Sequence, residues 1–353
     1  MFEAMIPKNS ARSSGDAPPS QRHPLWKRLR FRLELVGCRT LVRLLSPLSF
    51  KSLNTLAMLV GEVAWRVDSS GRRYAEQNIR LVFTECGPCQ RNLILRQCYV
   101  NFARTMLSLF WSASRDIPQV NRITEMIGFD NVASWSRSSG KPLVLTTFHF
   151  GNWELSSLAV AASGLPTMIV GEDFKNPLLR PFFHGLRSRF GNQVVPQVGA
   201  AVRLLKHLKS GGSVAFLFDL TMPPGPNGSI VSAFGKPRFE LSVTPLHVIL
   251  ARRTGALWVP VISLPDGVNG VKVIALDPIE VASSESINDA VQRGWDVLED
   301  VVNRNPDLYL WIYRHFRYRP AQATREYPAY AQIHPPFETL RQEIKSGATP
   351  TRS

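Results

Sequence analysis

Lys141-Pro142-Leu143-Val144-Leu145-Thr146-Thr147-Phe148-His149-Phe150-Gly151-Asn152-Trp153-Glu154 is the stretch on which the reading of this chain turns. Pro142–Thr147 is a short run of the apolar and β-branched residues that suit a buried strand. From about Asn152 the pattern is helical. A strand giving way to a helix within five residues is a βα unit, and in open α/β sheets such junctions gather ligands.

Working outward, the same alternation recurs. Strands are predicted at Met168–Val170, Gln193–Pro196, Ser213–Asp219, Ala256–Ser263 and Val271–Leu276. Helices are predicted at Pro177–Phe190, Ala200–Lys209, Thr244–Thr254 and Ser286–Asn303. This spacing predicts an α/β fold with a central, mostly parallel sheet flanked by helices. Pro265-Asp266-Gly267 is turn chemistry, so the last two strands are predicted to form an antiparallel edge. Residues 72–136 read as helices, including Arg72–Phe83 and Gln90–Ser112.

Four regions follow: a basic, Ser- and Pro-rich lead-in over 1–24 read as disordered, membrane-associating helices over 25–67, the α/β domain over 68–320, and a polar tail over 321–353 without a packing signal. In the second region Leu25, Trp26, Leu29, Leu33, Val36, Leu41, Leu44 and Leu45 fall near helical spacing, interleaved with Arg28, Arg30, Arg32, Arg39 and Arg43. That amphipathic pattern suits a helix lying in a membrane interface, its arginines toward lipid phosphates. Packing on the following domain is the plainer explanation. A second apolar helix is expected from Leu53 to Trp65.

The 353 residues carry 42 Lys and Arg against 27 Asp and Glu, a net charge of +15. Nucleic acid, an anionic membrane, a phosphorylated substrate and an acidic carrier protein would all be attracted by that surplus. With 44% hydrophobic residues, a chain disordered throughout is excluded. The opening residues carry no apolar run of signal-peptide length, and no stretch reaches the ~18–20 apolar residues of a confident membrane span. Four cysteines do not make a disulfide scaffold, which favours a reducing compartment. Cys86-Gly-Pro-Cys89 has redox-pair spacing but falls in a helix-to-helix loop, and a zinc site lacks its fourth ligand. No dinucleotide fingerprint or P-loop is present, and no cofactor or metal is expected.

His149 and Glu154, five apart, would stand about 140° from each other on one helix. They meet only if His149 lies on the turn and Glu154 on the first helical turn, with Gly151 allowing the bend. The carboxylate would then hold one ring nitrogen and leave the other as a base for a substrate hydroxyl. A lone histidine beside an unrelated carboxylate is the alternative.

His149-Phe-Gly-Asn-Trp-Glu154 resembles the signature block of the bacterial lipid A biosynthesis acyltransferases, lauroyl- and myristoyl-transferring members of the His-x4-Asp/Glu glycerolipid acyltransferases. Lys175-Asn176-Pro177 with Arg187-Ser-Arg189-Phe-Gly191 is similar to a second block of that family. Asp219 with Pro224-Gly225-Pro226 and Ser232-Ala-Phe-Gly235 is similar to a third, and Leu310–Pro320 to the closing one. The resemblance runs from about Leu25 to Pro320. Departures fall at Glu172-Asp173, at Leu220 and before Gly235, on the walls of the acceptor site.

The resemblance implies transfer of a fatty acyl chain from an acyl carrier protein or acyl-CoA thioester to a hydroxyl of a membrane lipid. His149 would be the base and Glu154 its orienting partner; Arg187, Arg189, Asp219, Asn152 and Lys175 would contact substrate. Such an enzyme would work at the cytoplasmic face of the inner membrane, held peripherally or by its N-terminus on anionic lipid. Another glycolipid, glycerolipid or aminolipid acceptor, or a lipid-binding protein without turnover, are the competing readings. A bare carboxylate at Asp219, ending an apolar strand, would need an arginine or hydroxyl partner. The Trp311–Arg319 run, with Arg314, Arg317 and Arg319 among aromatics, is read as core plus phosphate- or lipid-facing arginines, with no nucleic-acid partner.

Overall fold

The computed structural model describes residues 24–171 and 174–345, so the 1–23 part of the lead-in, Glu172-Asp173 and residues 346–353 lie outside it. Four helices come first: α1 (Leu25–Leu45), α2 (Phe50–Val67), α3 (Ser69–Val82) and α4 (Pro88–Ser112). There follow α5 (Ile117–Ile123), β1 (Thr124–Ile127), α6 (Phe129–Ser139), β2 (Leu143–Thr147), α7 (Trp153–Ala162), β3 (Thr167–Gly171), α8 (Leu179–Arg187) and β4 (Gln193–Pro196). The remainder runs α9 (Ala200–Lys209), β5 (Ser213–Leu217), β6 (Ser229–Ala233), β7 (Phe239–Val243), α10 (Leu246–Thr254), β8 (Leu257–Asp266), β9 (Gly270–Ala275), α11 (Ile287–Arg304) and α12 (Pro336–Lys345).

Seven strands form the central sheet in the order β1-β9-β8-β2-β5-β3-β4. All neighbours are parallel except β8 and β9, which pair antiparallel through Asp266 and Gly270 around the expected turn. The α/β reading of the sequence therefore holds. β2 is central and almost wholly buried, which is why its sequence, Leu-Val-Leu-Thr-Thr, shows no alternation of apolar and charged residues. The sheet carries apolar packing on both faces, one cluster around Phe148, Trp258 and Trp295 and another around Phe110, Leu155 and Val259.

Three local readings need correction. β1 lies inside the region read as all helix; its four residues hydrogen-bond to β9, a partner about 150 residues away that no local pattern announces. The β6–β7 hairpin was not expected, because its block carries Gly and Pro and reads as loop. The tail is not without packing: Phe337 and Leu340 are buried against Ile230 and Tyr318, and Tyr327 and Tyr330 cover the main core. Its few apolar residues are too sparse to show periodicity, yet each meets a preformed surface. The closing aromatic run forms no long element, but Trp311, Tyr313 and Phe316 are core as expected. Cys86 and Cys89 are free thiols.

α2 packs tightly on α4. A Cβ at Gly61 would stand 2.5 Å from Val100 Cα, so only glycine permits this approach. Away from α4, Met58, Leu59, Val63 and Val67 face outward, as do Leu25, Trp26, Leu29, Leu33, Val36 and Leu44 of α1. Among the described residues, no helix is long and apolar enough to cross a membrane.

One core residue breaks the usual rule for polar groups. His247 of α10 is fully buried between Phe218 and Trp258, ring centroids 4.3 and 5.0 Å away, and neither ring nitrogen has a partner among the described residues. Burial pushes its pKa down to about 3. The unfolded chain takes up a proton near pH 6.5 and the folded one only near 3, so stability falls as pH drops through that window. His247→Leu is expected to stabilise the fold by about 1 kcal/mol at neutral pH by removing an orphaned N–H. The advantage should widen by about 2 kcal/mol between pH 6.5 and 5. Urea melts at the two pH values check this; an advantage that does not grow with acid would refute it.

Candidate active site

Phe148–Asn152 crosses from β2 to α7 at the C-terminal edge of the sheet, and its neighbours fix it at nearly every polar group. Phe148 is fully buried against Phe218 and Trp295, which anchors the strand end. His149 O accepts from Leu310 N at 3.0 Å, and Gly151 N donates to Leu308 O at 2.9 Å. Gly151 O accepts from Asn101 Nδ2 and Thr105 Oγ1, both at 3.0 Å. Gly151 itself has φ +60°, and a Cβ there would fall 2.1 Å from Ser263 O. The bend expected at this glycine is thus required twice, by backbone angle and by space.

Asn152 caps α7, its side-chain oxygen accepting from Leu155 N while Nδ2 donates to Ser108. Its own N–H goes to Ser263 Oγ. The residue expected to contact substrate therefore spends its polar groups on holding the turn.

His149 emerges from this turn, its side chain 15% exposed. Its Nδ1 lies 2.8 Å from Asp219 Oδ1, and its backbone N–H donates to Oδ2 at 3.0 Å. Asp219 follows β5, the parallel neighbour of β2, so the sheet register sets the two strand ends side by side. Asp219 is fully buried. Burial works against its charge, but His149, through both charge and hydrogen bonds, outweighs it and holds the carboxyl below its usual range. The partner of this carboxylate is thus a histidine, not the arginine or hydroxyl that the sequence led one to expect. An ionised Asp219 requires Nδ1 to carry a proton, which leaves Nε2 as the basic nitrogen.

Glu154 does sit in the first turn of α7, as the sequence suggested, but its carboxylate is taken by another group. Arg187 Nε stands 3.1 and 3.0 Å from its two oxygens, and Nη2 binds as well. The pair is largely buried, with side chains 8% and 20% exposed. The five-residue spacing places His149 and Glu154 on the same cavity wall, yet the ring turns to Asp219 and the acid to Arg187.

That cavity measures about 300 Å³ and is mainly apolar. His149, Glu154 and Arg187 line it together with Val160, Ile169 and Leu217. Leu220 also lines it. The remaining expected contacts lie elsewhere. α8 ends at Arg187 and the chain kinks at Phe190, φ 62°, so Arg189 does not continue the face carrying Arg187. Arg189 instead reaches the Arg115 carbonyl. Lys175 is exposed ahead of α8, outside the cavity lining.

Asn101, Thr105 and Ser108, which fix the turn from behind, were missed. Their signal was present: an i, i+4, i+7 polar stripe in the mostly apolar C-terminal half of α4. Ser263 carried no comparable signal. Among the described residues, no cluster of His, Cys, Asp or Glu is arranged to hold a metal.

A βα turn presents an acid-supported histidine beside a mainly apolar cavity, the arrangement of a base next to space for an apolar substrate. Residues 33–318 match the bacterial lipid A biosynthesis acyltransferase family, and the chain belongs to it. It is an acyltransferase. It is 25% identical over 278 residues to a lipid A biosynthesis lauroyltransferase of Escherichia coli K12, covering 76% of this chain and 86% of that one. A lipid A biosynthesis acyltransferase of Haemophilus influenzae is 21% identical over 249 residues, 70% of this chain and 76% of that one.

Proposed function

We propose that this acyltransferase moves a fatty acyl chain from an acyl-carrier-protein or coenzyme A thioester to a hydroxyl of a membrane glycolipid in lipid A biosynthesis. His149 is the general base. Its Nε2 removes the acceptor's hydroxyl proton as the oxygen attacks the thioester carbonyl; the C–S bond then breaks, and the imidazolium returns that proton to the departing sulfur, which leaves as the thiol. Asp219 fixes the tautomer and stabilises the imidazolium that forms. Arg187, held by Glu154, offers a cation at the same wall for a carbonyl or phosphate. The observation that carries this reading is the His149–Asp219 pair at the wall of an apolar cavity. No acyl-enzyme is needed.

The same chemistry on a different acyl acceptor is the second reading, favoured by Leu220, which places an apolar side chain in the cavity where the resemblance leads one to expect a polar one. Attachment to the cytoplasmic face of the inner membrane is supported by the outward apolar side chains of α1 and α2 and by the exposed Arg28, Arg30, Arg32, Arg39 and Arg43.

Purified protein is to be incubated with lauroyl or myristoyl thioesters and extracted lipid A precursor, and the lipids weighed by mass spectrometry. A mass gain of one acyl group is expected. The protein should also float with anionic vesicles and not with neutral ones. Absence of transfer to this precursor, with transfer to another lipid, would move the assignment to the second reading. No transfer from either thioester to any membrane lipid would end the catalytic proposal, and flotation independent of lipid charge would end the proposed mode of attachment.

A further inference from the structure

Between Asp173 and Asp219 the chain has no acidic residue, although overall it carries one in about thirteen. α9 lies in that stretch. Val202, Lys206 and Lys209 are exposed on it at i, i+4 and i+7, which sets them on one face over about 10 Å. Val198 and Arg203 extend the face at its start, where Arg203 Nη1 donates to the Val198 carbonyl at 2.6 Å. The two valines are 67% and 59% exposed, far more than isolated packing would leave them. Among the described residues, Lys206 and Lys209 have no acidic partner. Cations in the last turn suit a helix dipole, but the dipole calls neither for outward valines nor for a stretch emptied of acids.

The position of this face gives it a use. Among the described residues that line the catalytic cavity, Gln197 and Leu217 are the exposed ones, so the cavity meets solvent at the ends of β4 and β5. Val198 follows Gln197 directly, and the cationic face therefore begins at the cavity mouth. It also points away from the helices that carry the outward apolar side chains. Leu204 and Leu208 pack α9 into the cluster of Trp258 and Trp295 on one side of the sheet, whereas Leu45 of α1 and Phe50 and Leu53 of α2 pack on the other. A bilayer laid on α1 stands on the far side of the sheet from α9, which leaves α9 to a soluble partner.

We infer that the α9 face of Val198, Val202, Arg203, Lys206 and Lys209 docks an acidic acyl carrier protein, whose thioester-bearing arm then passes Gln197 into the cavity. The inference rests on the proposed use of a thioester donor and selects the carrier protein over coenzyme A as its bearer. Cations converging on one point suit the phosphates of a small donor. Here they are spread along a convex helix beside apolar side chains, which complements an extended acidic surface with an apolar centre.

Full-length enzyme is to be titrated into fluorescently labelled holo carrier protein that bears no acyl chain, with Kd read from anisotropy. Binding is expected and should weaken as salt is raised from about 0.05 to 0.3 M. Lys206→Glu/Lys209→Glu, at two exposed positions, should weaken it roughly tenfold or more. Arg137→Glu/Lys141→Glu makes the same change of net charge at the exposed end of α6 and should leave Kd as it was. Absence of wild-type binding, equal effects of the two double variants, or no effect of the α9 variant would each overturn the inference. So would loss of flotation with anionic vesicles in the α9 variant while carrier binding is kept, since α9 would then be a membrane surface. Turnover is not part of this readout. Carrier binding that depends on α9, without acyl transfer in any assay, would remove the catalytic reading and keep the docking face. Transfer from lauroyl-CoA by an enzyme that does not bind the carrier would remove the docking face and keep the acyltransferase.

Discussion

Asp219→Asn is expected to lower kcat by roughly 10³- to 10⁴-fold, about as much as His149→Ala. The carboxylate accepts from His149 twice, from ring and backbone, and is fully buried. An amide in its place can present an N–H to Nδ1, which drives the ring proton to Nε2 and leaves no lone pair for the acceptor hydroxyl. It also withdraws the negative charge that stabilises the imidazolium, so residual activity should have its acid limb shifted to lower pH. Single-turnover rates across pH for His149→Ala, Asp219→Asn and Glu154→Gln test this, with folding checked by circular dichroism. If Glu154→Gln moves the acid limb and Asp219→Asn does not, the orienting role belongs to Glu154 after all.

Arg187→Ala and Glu154→Ala are each expected to destabilise the fold by about 3 kcal/mol, a fall in Tm of roughly 4–5 °C. Each leaves a buried charge without the bidentate partner now present. The double variant Glu154→Gln/Arg187→Met removes both charges at similar volume and should recover most of that stability, since a missing pair costs less than half of one. Activity should not recover, because the cavity then lacks its cation. Calorimetry and acyl-transfer assays on the same preparations separate the two roles. Single variants as stable as wild type would deny the pair a structural part, and a fully active double variant would deny it any other.

Much of the site was legible because its chemistry is local. The β2-to-α7 junction could be read from the apolar and β-branched run Leu143–Thr147, a glycine and the helical pattern that follows, and the bend at Gly151 follows from that sequence. What could not be read was which acid meets which base. His149 lies within reach of one carboxylate by spacing and of another by sheet register, and spacing alone favours Glu154. Asp219 lies 70 positions further along the chain, and the parallel pairing of β2 with β5 brings it to the histidine.

The amino-acid sequence by itself determined the alternation of strand and helix, the position of His149 at a strand end and the arginine-studded apolar helices that precede the sheet. These depend on periodicity and turn chemistry, which act over a few residues. Only the tertiary structure decided that Asp219 holds the histidine while Glu154 holds Arg187, that Arg189 and Lys175 lie away from the cavity, and that the polar tail packs. A hydrogen bond acts over about 3 Å, and which groups come that close across a sheet depends on strand order and register rather than on position in the chain.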